Sequence, residues 1–223
     1  MKKLSIVVPY RDRAEQLNIF LYYMELFLTH HGYDFEIIVV NQSDDNPFNR
    51  GALLNIGASF SEGDYFITHD VDMLPLLDVY QYPEGDTPLH LCWQLERNNF
   101  IPFDQIKDKW SWNDYCYGGV NAFTQKQFLE VGQFPYNFWG WGGEDSHMRN
   151  NLFALGKKII RRKGYFMELP HKDNTVDRNK YIKSTNNTLE WKIIKTQHIE
   201  PVLNTSAIIK IVSVQLTLDK DLK

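Results

Sequence analysis

Two carboxylates directly follow an apolar run in the first third of the 223-residue chain. Asp70 and Asp72 stand behind the run Tyr65–Thr68, with Val71 between them. In an extended segment alternate side chains point the same way, so both carboxylates can face one cleft while Val71 points into the protein. Carboxylates together with substrate phosphates are the usual ligands of Mg²⁺ and Mn²⁺. The pattern indicates a site for a divalent ion and a diphosphate; a solvated turn with Asp caps is the alternative.

The segment 138–145, FWGWGGED, is the second candidate for chemistry. Its indoles, Trp139 and Trp141, have flat faces that can stack on the apolar face of a sugar, and its three glycines allow close backbone approach. Glu144 and Asp145 can bind sugar hydroxyl groups. A glycine-hinged loop whose acids cap the next helix is the alternative. We expect a carbohydrate site, which requires both tryptophans to be reachable from solvent.

The elements that must hold these residues follow from the hydrophobic pattern. Apolar runs alternate with segments of helical period in the first half, which is typical of an α/β domain with a largely parallel sheet. Asp70 then lies at the carboxyl end of a parallel strand, where open α/β sheets bind ligands. The pattern predicts strands at 4–8, 35–40, 65–68, 159–160 and 208–218 and helices at 14–29, 50–61, 125–131, 144–155 and 177–184. It predicts loops over most of 75–117, with short strand-like pieces such as 89–93.

Composition limits the class of protein. With 43% hydrophobic and 23% charged residues the chain fits one compact domain, and disorder, collagen and coiled coil are excluded. A net charge of −4 does not favour nucleic acid as a partner. No stretch approaches the roughly 20 apolar residues of a membrane-spanning helix. Cys92 and Cys116 favour a reducing compartment, with a single disulfide as the alternative.

Five motifs, in their order along the chain, resemble those of the β-1,4-galactosyltransferase family, and the whole chain is similar to its catalytic domain. They are PYRDR at 9–13, FNRGALLNIG at 48–57, DVDMLP at 70–75, GGV at 118–120 and FWGWGGED at 138–145. The resemblance implies an α/β fold of the GT-A nucleotide-diphospho-sugar transferase type, with a mostly parallel central sheet flanked by helices. It implies one catalytic domain with a nucleotide-binding half at 1–75 and an acceptor-binding half at 76–223.

The family's cytoplasmic tail, membrane anchor and stem have no counterpart in this sequence. We therefore expect a cytoplasmic chain, or a Golgi-lumenal one if an anchor has been trimmed. A basic cluster at 157–163 either makes a peripheral contact with anionic lipid or forms a solvated face.

On the donor side, the resemblance implies a UDP-sugar site in which arginines contact the diphosphate. Guanidinium groups suit this role because they form planar, bidentate contacts with phosphate oxygens. The residues assigned to donor binding are Pro9, Tyr10, Arg11, Arg13, Arg50, Asp70 and Val71.

The metal ligands implied by the resemblance are Asp72 and His171, with Mn²⁺ or Mg²⁺ as the ion. Without the resemblance, His171 reads as a surface histidine. Family members add a histidine or methionine two or three residues earlier, where this chain has Leu169 and Glu168. Glu168 can coordinate a hard ion through oxygen, and Met167 is the weaker candidate.

On the acceptor side, the resemblance implies that Asp145 is the catalytic base and that Glu144 holds a sugar. The resemblance also implies that Trp141 matches a tryptophan that packs over donor and acceptor from a mobile loop. The implied reaction is inverting transfer of a hexose to a sugar hydroxyl with β-1,4 linkage, and the acceptor is a glycan or a lipid-linked glycan. The further residues expected at the acceptor are Trp139, Gly142, Gly143 and Tyr115.

One departure from the family concerns the choice of donor. Two positions before the pair Gly118 and Gly119, galactose-specific vertebrate members carry a tyrosine whose bulk limits the room for a 2-acetamido group. This chain has the smaller Cys116. We therefore expect UDP-N-acetylgalactosamine to be used as well as, or instead of, UDP-galactose, unless Tyr115 or Tyr117 refills the space.

A binding protein is the alternative to an enzyme. A metal-dependent, lectin-like protein could use the same indoles and the same ion without transferase activity. It would not need paired arginines after the first strand or an acid placed as a base. Metal-dependent hydrolysis of a UDP-sugar discriminates the two, because a lectin should not show it.

Overall fold

A nine-stranded sheet with helices packed against it forms the framework of the protein. The computed structural model describes residues 2–96, 99–102, 105, 116–140, 142–170, 182–183, 189–203 and 205–217. The helices are α1 (Ala14–His30), α2 (Arg50–Ser59), α3 (Gln125–Glu130) and α4 (Glu144–Ala154). The strands are β1 (Leu4–Tyr10), β2 (Phe35–Gln42), β3 (Tyr65–Thr68), β4 (Met73–Pro75), β5 (Leu89–Leu95), β6 (Asn121–Phe123), β7 (Phe138–Trp139), β8 (Ile160–Glu168), β9 (Ile182–Lys183), β10 (Glu190–Ile199) and β11 (Ile208–Thr217).

The strand order of the large sheet is β10-β11-β2-β1-β3-β6-β5-β8-β4, and β7 and β9 form a separate pair. The four strands β11, β2, β1 and β3 are parallel to one another. On the other side of β3, the ladders β3–β6, β6–β5 and β8–β4 are antiparallel, and only β5–β8 is parallel. The sheet is thus mixed and not mostly parallel, because an apolar run reports burial of a strand and not its direction.

The parallel half is held together by an apolar core on both faces. β1 lies between β2 and β3 and is buried along Leu4–Val8, which explains its continuous apolar run. On α1, buried side chains recur every three or four residues, at Leu17, Phe20, Met24 and Leu28. Gly57 allows α2 to pack directly on β1, since a Cβ at this position would overlap the side chain of Val7.

The structure confirms one short strand and differs from the predictions in two other places. β5 begins where the strand-like piece at 89–93 was expected and extends it to seven residues. β10 was not predicted, because it is exposed along its length and pairs only at the sheet edge, with β11. Of the helix predicted at 177–184, only 182–183 lie within the described residues. These two form β9 against β7, so the helix prediction is wrong there.

The basic cluster at 157–163 is largely used within the fold. Arg162 donates hydrogen bonds to the carbonyls of Val79 and Gln81 at 2.8 and 2.6 Å. Lys157 forms an ion pair with Glu130 at 3.1 Å.

None of the helices in the described ranges is both long and apolar enough to cross a bilayer. Cys92 and Cys116 are not joined by a disulfide.

Candidate active site

Arg50, the first residue of α2, connects the two acidic motifs. Its Nη2 lies 2.8 Å from Asp70 Oδ1, its Nη1 lies 3.4 Å from Glu144 Oε1, and its Nη2 donates to the carbonyl of Gly119 at 3.2 Å. The start of α2 is fixed by Asn49, whose side chain accepts from the N–H of Ala52. The guanidinium therefore holds together the end of β3 and the beginning of α4.

Glu144 and Asp145 open α4, where the helix dipole favours negative charge. Glu144 is only 5% exposed. Burial, together with the charge of Asp145 and against the opposing charge of Arg50, raises the pKa of Glu144 to about 8. Glu144 is therefore mainly protonated at neutral pH, as a buried carboxyl group close to another acid tends to be.

The carboxylate of Asp145 occupies a space that only a glycine at position 118 leaves open. A Cβ on Gly118 would lie 2.4 Å from Asp145 Oδ2. The other oxygen, Oδ1, is buried and has no hydrogen-bond partner among the described residues. A buried acceptor without a donor costs about 1–3 kcal/mol, and such atoms call for a ligand or a functional explanation. A bound hydroxyl group would provide the missing donor.

Asp70 and Asp72 are each paired with an arginine. Asp72 Oδ2 accepts from Arg13 Nη1 at 2.5 Å, and Asp70 binds Arg50 as described above. Val71 is buried, as the alternation predicts. The expected repulsion between the two carboxylates is therefore relieved by two guanidinium groups from separate elements, which the sequence pattern does not reveal.

The ladder between β4 and β8 brings the predicted metal ligands Asp72 and Glu168 into neighbouring backbone positions. Leu169 donates its N–H to the carbonyl of Asp72 at 2.7 Å, and Met73 pairs with Glu168. Both side chains offer the oxygen ligands that hard divalent cations take. His171 lies outside the described residues. Within those residues, no group of three or more His, Cys, Asp or Glu side chains could hold a metal ion.

The predicted nucleotide segment follows β1 at the same edge of the sheet. Pro9 and Tyr10 end the strand, and burial raises the pKa of Tyr10 above its ordinary value. Arg11 donates to the carbonyl of Asn46 at 2.6 Å, and its guanidinium lies 5.4 Å from the centre of the Phe48 ring. Arginines 11 and 13 therefore stand at the carboxyl ends of β1, β2 and β3.

Trp139 corrects one expectation about the acceptor side. It is only 2% exposed and packs in the core with Ile38, Val40 and Ala52, so it is not reachable from solvent. Its place in β7, over α2, explains this burial. Gly142 and Gly143 have φ values of +85° and +104°, which favour glycine. Trp141 and Tyr115 lie outside the described residues.

His69 is a site neighbour that the sequence did not identify. Its Nδ1 lies 2.9 Å from the carbonyl of Asp70 and its Nε2 lies 2.6 Å from the hydroxyl of Tyr80. A carbonyl only accepts, so Nδ1 donates and Nε2 accepts from Tyr80. Burial lowers the pKa of His69 to about 4, which keeps the imidazole neutral. A polar residue at the end of a buried strand was the available signal.

Comparison with known proteins agrees with this geometry. The model for the N-terminal region of glycosyl transferase group 7 matches residues 1–83, and that for the N-terminal domain of galactosyltransferase matches residues 101–172. β-1,4-Galactosyltransferase 1 of Mus musculus is 37% identical over 164 residues, which are 71% of this chain. The chain belongs to the β-1,4-galactosyltransferase family. It spans 39% of the length of that mouse relative.

Solved structures of glycosyltransferases share the fold. A crystal structure of Drosophila β-1,4-galactosyltransferase 7, in complex with manganese, UDP-Gal and xylobiose, matches with a TM-score of 0.77 and 26% identity, covering 99% of this chain and 97% of that one. A mannosyltransferase of Pyrobaculum calidifontis matches at 0.56 with 14% identity, covering 78% of this chain and 58% of that one, and shows the fold alone. These matches confirm the GT-A fold that the motifs of this galactosyltransferase family member imply.

Proposed function

We propose that this chain is an inverting glycosyltransferase that transfers galactose from UDP-galactose to a sugar hydroxyl in β-1,4 linkage. Membership of the β-1,4-galactosyltransferase family supports this, as does the Drosophila relative that binds UDP-Gal, manganese and xylobiose. The observation that carries the proposal is the buried Oδ1 of Asp145, which lacks a donor among the described residues. An acceptor hydroxyl is a donor of the right size and chemistry.

In the proposed reaction, Asp145 is the general base. The acceptor hydroxyl oxygen attacks the anomeric carbon, its proton passes to Asp145, and the bond from the anomeric carbon to the diphosphate oxygen breaks with its electron pair left on UDP. Glu144, whose pKa is raised to about 8, keeps its own proton at neutral pH and therefore does not compete with Asp145 for the proton of the acceptor. Arg50 limits the negative charge of this acidic cluster.

The donor diphosphate is assigned to the arginine-rich edge of the parallel strands. Arg11 and Arg13 offer guanidinium groups there, and Asp72, Glu168 and His171 would hold the cation. The carboxyl groups in this set fit Mn²⁺ or Mg²⁺, which prefer oxygen ligands. When bound, the ion supplies positive charge that stabilises the leaving diphosphate.

We also propose that Cys116 widens the choice of donor to UDP-N-acetylgalactosamine. A thiol fills less space than the phenol that galactose-specific vertebrate members of the family carry at this position. In Cys116→Tyr, kcat/KM for UDP-N-acetylgalactosamine should fall relative to kcat/KM for UDP-galactose, because the phenol leaves less room for the 2-acetamido group. Cys116→Ala is the matched control and should keep the wild-type ratio. An unchanged ratio in Cys116→Tyr would contradict the assignment.

The central experiment measures UDP release with Mn²⁺, both UDP-sugars and a panel of sugar acceptors. Acceptor-dependent release, with a β-1,4-linked product identified by NMR, supports the proposal. Asp145→Asn should reduce transfer at least about 10²-fold while the protein stays folded. Asp86→Asn, which alters an exposed carboxylate 59 positions before Asp145 in the sequence, should leave the transfer rate unchanged. Sugar binding without UDP release would favour a lectin-like protein instead.

A further inference from the structure

The segment 116–119 has no regular secondary structure, yet its backbone is held at every residue. Four consecutive carbonyls each accept a hydrogen bond from a different side chain. The donors are Arg161 Nη2 to Cys116 at 2.7 Å, Asn121 Nδ2 to Tyr117 at 3.0 Å, His90 Nε2 to Gly118 at 2.8 Å and Arg50 Nη2 to Gly119 at 3.2 Å. Side chains thus replace the ladder bonds that a strand would supply.

This segment forms one wall of the proposed catalytic cluster. Gly118 borders the carboxylate of Asp145, and the carbonyl of Gly119 contacts Arg50. Cys116, the residue assigned to donor choice, begins the segment. A displacement of the segment therefore changes the position of the proposed base and of the Cys116 thiol together.

The proposed reaction does not use three of these donors, Asn121, His90 and Arg161, and the last two are in contact with each other. His90 lies on β5 and Arg161 on β8, and the two strands pair in parallel. The Arg161 guanidinium donates to His90 Nδ1, and His90 Nε2 donates to Gly118. Because an arginine has no acceptor, this arrangement fixes the hydrogen of the neutral imidazole on Nε2.

The imidazole of His90 is well suited to a fixed structural role. Burial, with a further contribution from the charge of Arg161, lowers the pKa of His90 to about 3. The ring is completely buried and stacks on Tyr117 at 5.7 Å with an interplanar angle of 26°. Tyr117 is itself buried, so it belongs to this support and does not line the cleft.

We propose that His90 and Arg161 are positioning residues that hold the segment 116–119 against the catalytic cluster and thereby set both the transfer rate and the donor preference. This inference rests on the proposed transferase function. The structural basis is the chain of contacts from Arg161 through His90 to Gly118, with a second contact from Arg161 to Cys116. A misplacement of about 1 Å at a reacting group can cost on the order of 10²-fold in rate.

The test compares two amide substitutions at one position. In His90→Gln, the side chain is long enough to donate to Gly118 while its oxygen accepts from Arg161. In His90→Asn, the shorter side chain can still accept from Arg161 but does not reach Gly118. Arg161→Lys is the second variant, because lysine keeps the charge and loses the forked pair of donors. Tyr33→Phe is the matched control, since it removes a partly buried hydrogen bond to Asp78 at the opposite end of the parallel strands.

Two readouts are measured on folded protein. The first is kcat/KM for UDP-galactose and UDP-N-acetylgalactosamine, with KM and kcat separated. The second is the rate at which a thiol reagent labels Cys116, located by mass spectrometry, which does not depend on catalysis. Cys92 is buried, so it serves as an internal reference for global opening.

We expect His90→Asn and Arg161→Lys to lower kcat on the order of 10²-fold, to change the ratio of kcat/KM for the two donors and to accelerate labelling of Cys116. In His90→Gln, all three quantities should stay within about threefold of the wild type. Tyr33→Phe should lower stability without changing the ratio or the labelling. The inference is overturned if His90→Asn and His90→Gln behave alike, or if the losses only follow thermal stability as in Tyr33→Phe. Absence of transfer in the wild type would overturn the proposed function, while the labelling comparison would still test the support of the segment.

Discussion

The sharpest prediction concerns the space beside the proposed base. In Gly118→Ala, the new methyl carbon would lie 2.4 Å from Asp145 Oδ2, whereas ordinary contact begins at 3.4 Å. The carboxylate must therefore move by about 1 Å. The backbone itself accepts alanine, because Gly118 does not adopt the left-handed conformation that Gly119 adopts at φ +86°.

A shift of this size at a reacting group corresponds to a loss of about 10²-fold in kcat, or about 2.7 kcal/mol of transition-state stabilisation. The cost in folding is smaller. Only the end of one side chain has to move, so we expect the free energy of unfolding to fall by about 1 kcal/mol. Gly118→Ala should thus separate catalysis from stability.

The assay is the initial rate of UDP release with saturating donor and acceptor, with unfolding followed by urea denaturation. Asp145→Ala provides the control, because it removes the carboxylate that the methyl group displaces. In this background Gly118→Ala should cause no further loss of rate, a strong deviation from additivity. If Gly118→Ala retains a kcat within about threefold of the wild type, the carboxylate does not depend on this space and the geometry assigned to the base is wrong.

Three other predictions follow from the same contacts. Native Glu144 holds a proton that the unfolded chain releases, so its contribution to the free energy of unfolding should fall as pH rises from about 4.5 toward about 8, by at most about 1.4 kcal/mol per pH unit. Because the buried His69 and His90 contribute a slope of the opposite sign below their ordinary pKa, the quantity to measure is the difference in free energy of unfolding between the wild type and Glu144→Gln at each pH. A difference that does not change with pH would contradict the raised pKa of Glu144. Asn49→Ala should cost about 2 kcal/mol in urea denaturation and reduce transfer through Arg50, whereas Thr124→Ala, which removes the cap of α3, should cost about 1 kcal/mol and leave transfer intact. Asp72→Asn should raise the Mn²⁺ concentration for half-maximal rate more than about tenfold, and an unchanged titration would exclude it as a ligand.

The sequence predicts the parallel half of the fold because burial leaves a regular signal there. The bounds of β1, β3 and α1 agree with their predicted ranges to within two residues. Buried strands are apolar along their whole length, and α1 alternates with helical period. β10 leaves no such signal, since its side chains are exposed and follow neither period.

The sequence motifs predicted which residues belong to the site, but they did not predict which side chains contact each other. The acids and Arg50 were expected near a nucleotide sugar, but the bonds from Arg50 to Asp70 and Glu144 span 20 and 94 positions of sequence. No local pattern encodes contacts of that range. Trp139 was expected at the acceptor but is buried in the core. The sequence cannot distinguish the two, because an indole in a glycine-rich run looks the same whether it faces a sugar or the core.

The strand β11 lies after all the sequence motifs, yet the motif-bearing part of the chain needs it in order to fold. The matched region of the family ends at residue 172, whereas β11 covers β2 through seven paired residues and buries Ile209, Val212, Val214 and Leu216. A chain shortened at the end of the match would leave β2 as a long, apolar, open edge, which is a template for intermolecular pairing. Such a fragment would contain the DVD and GGED motifs and still aggregate. The smallest unit of this chain that can fold therefore extends well beyond the segments that the two family models match.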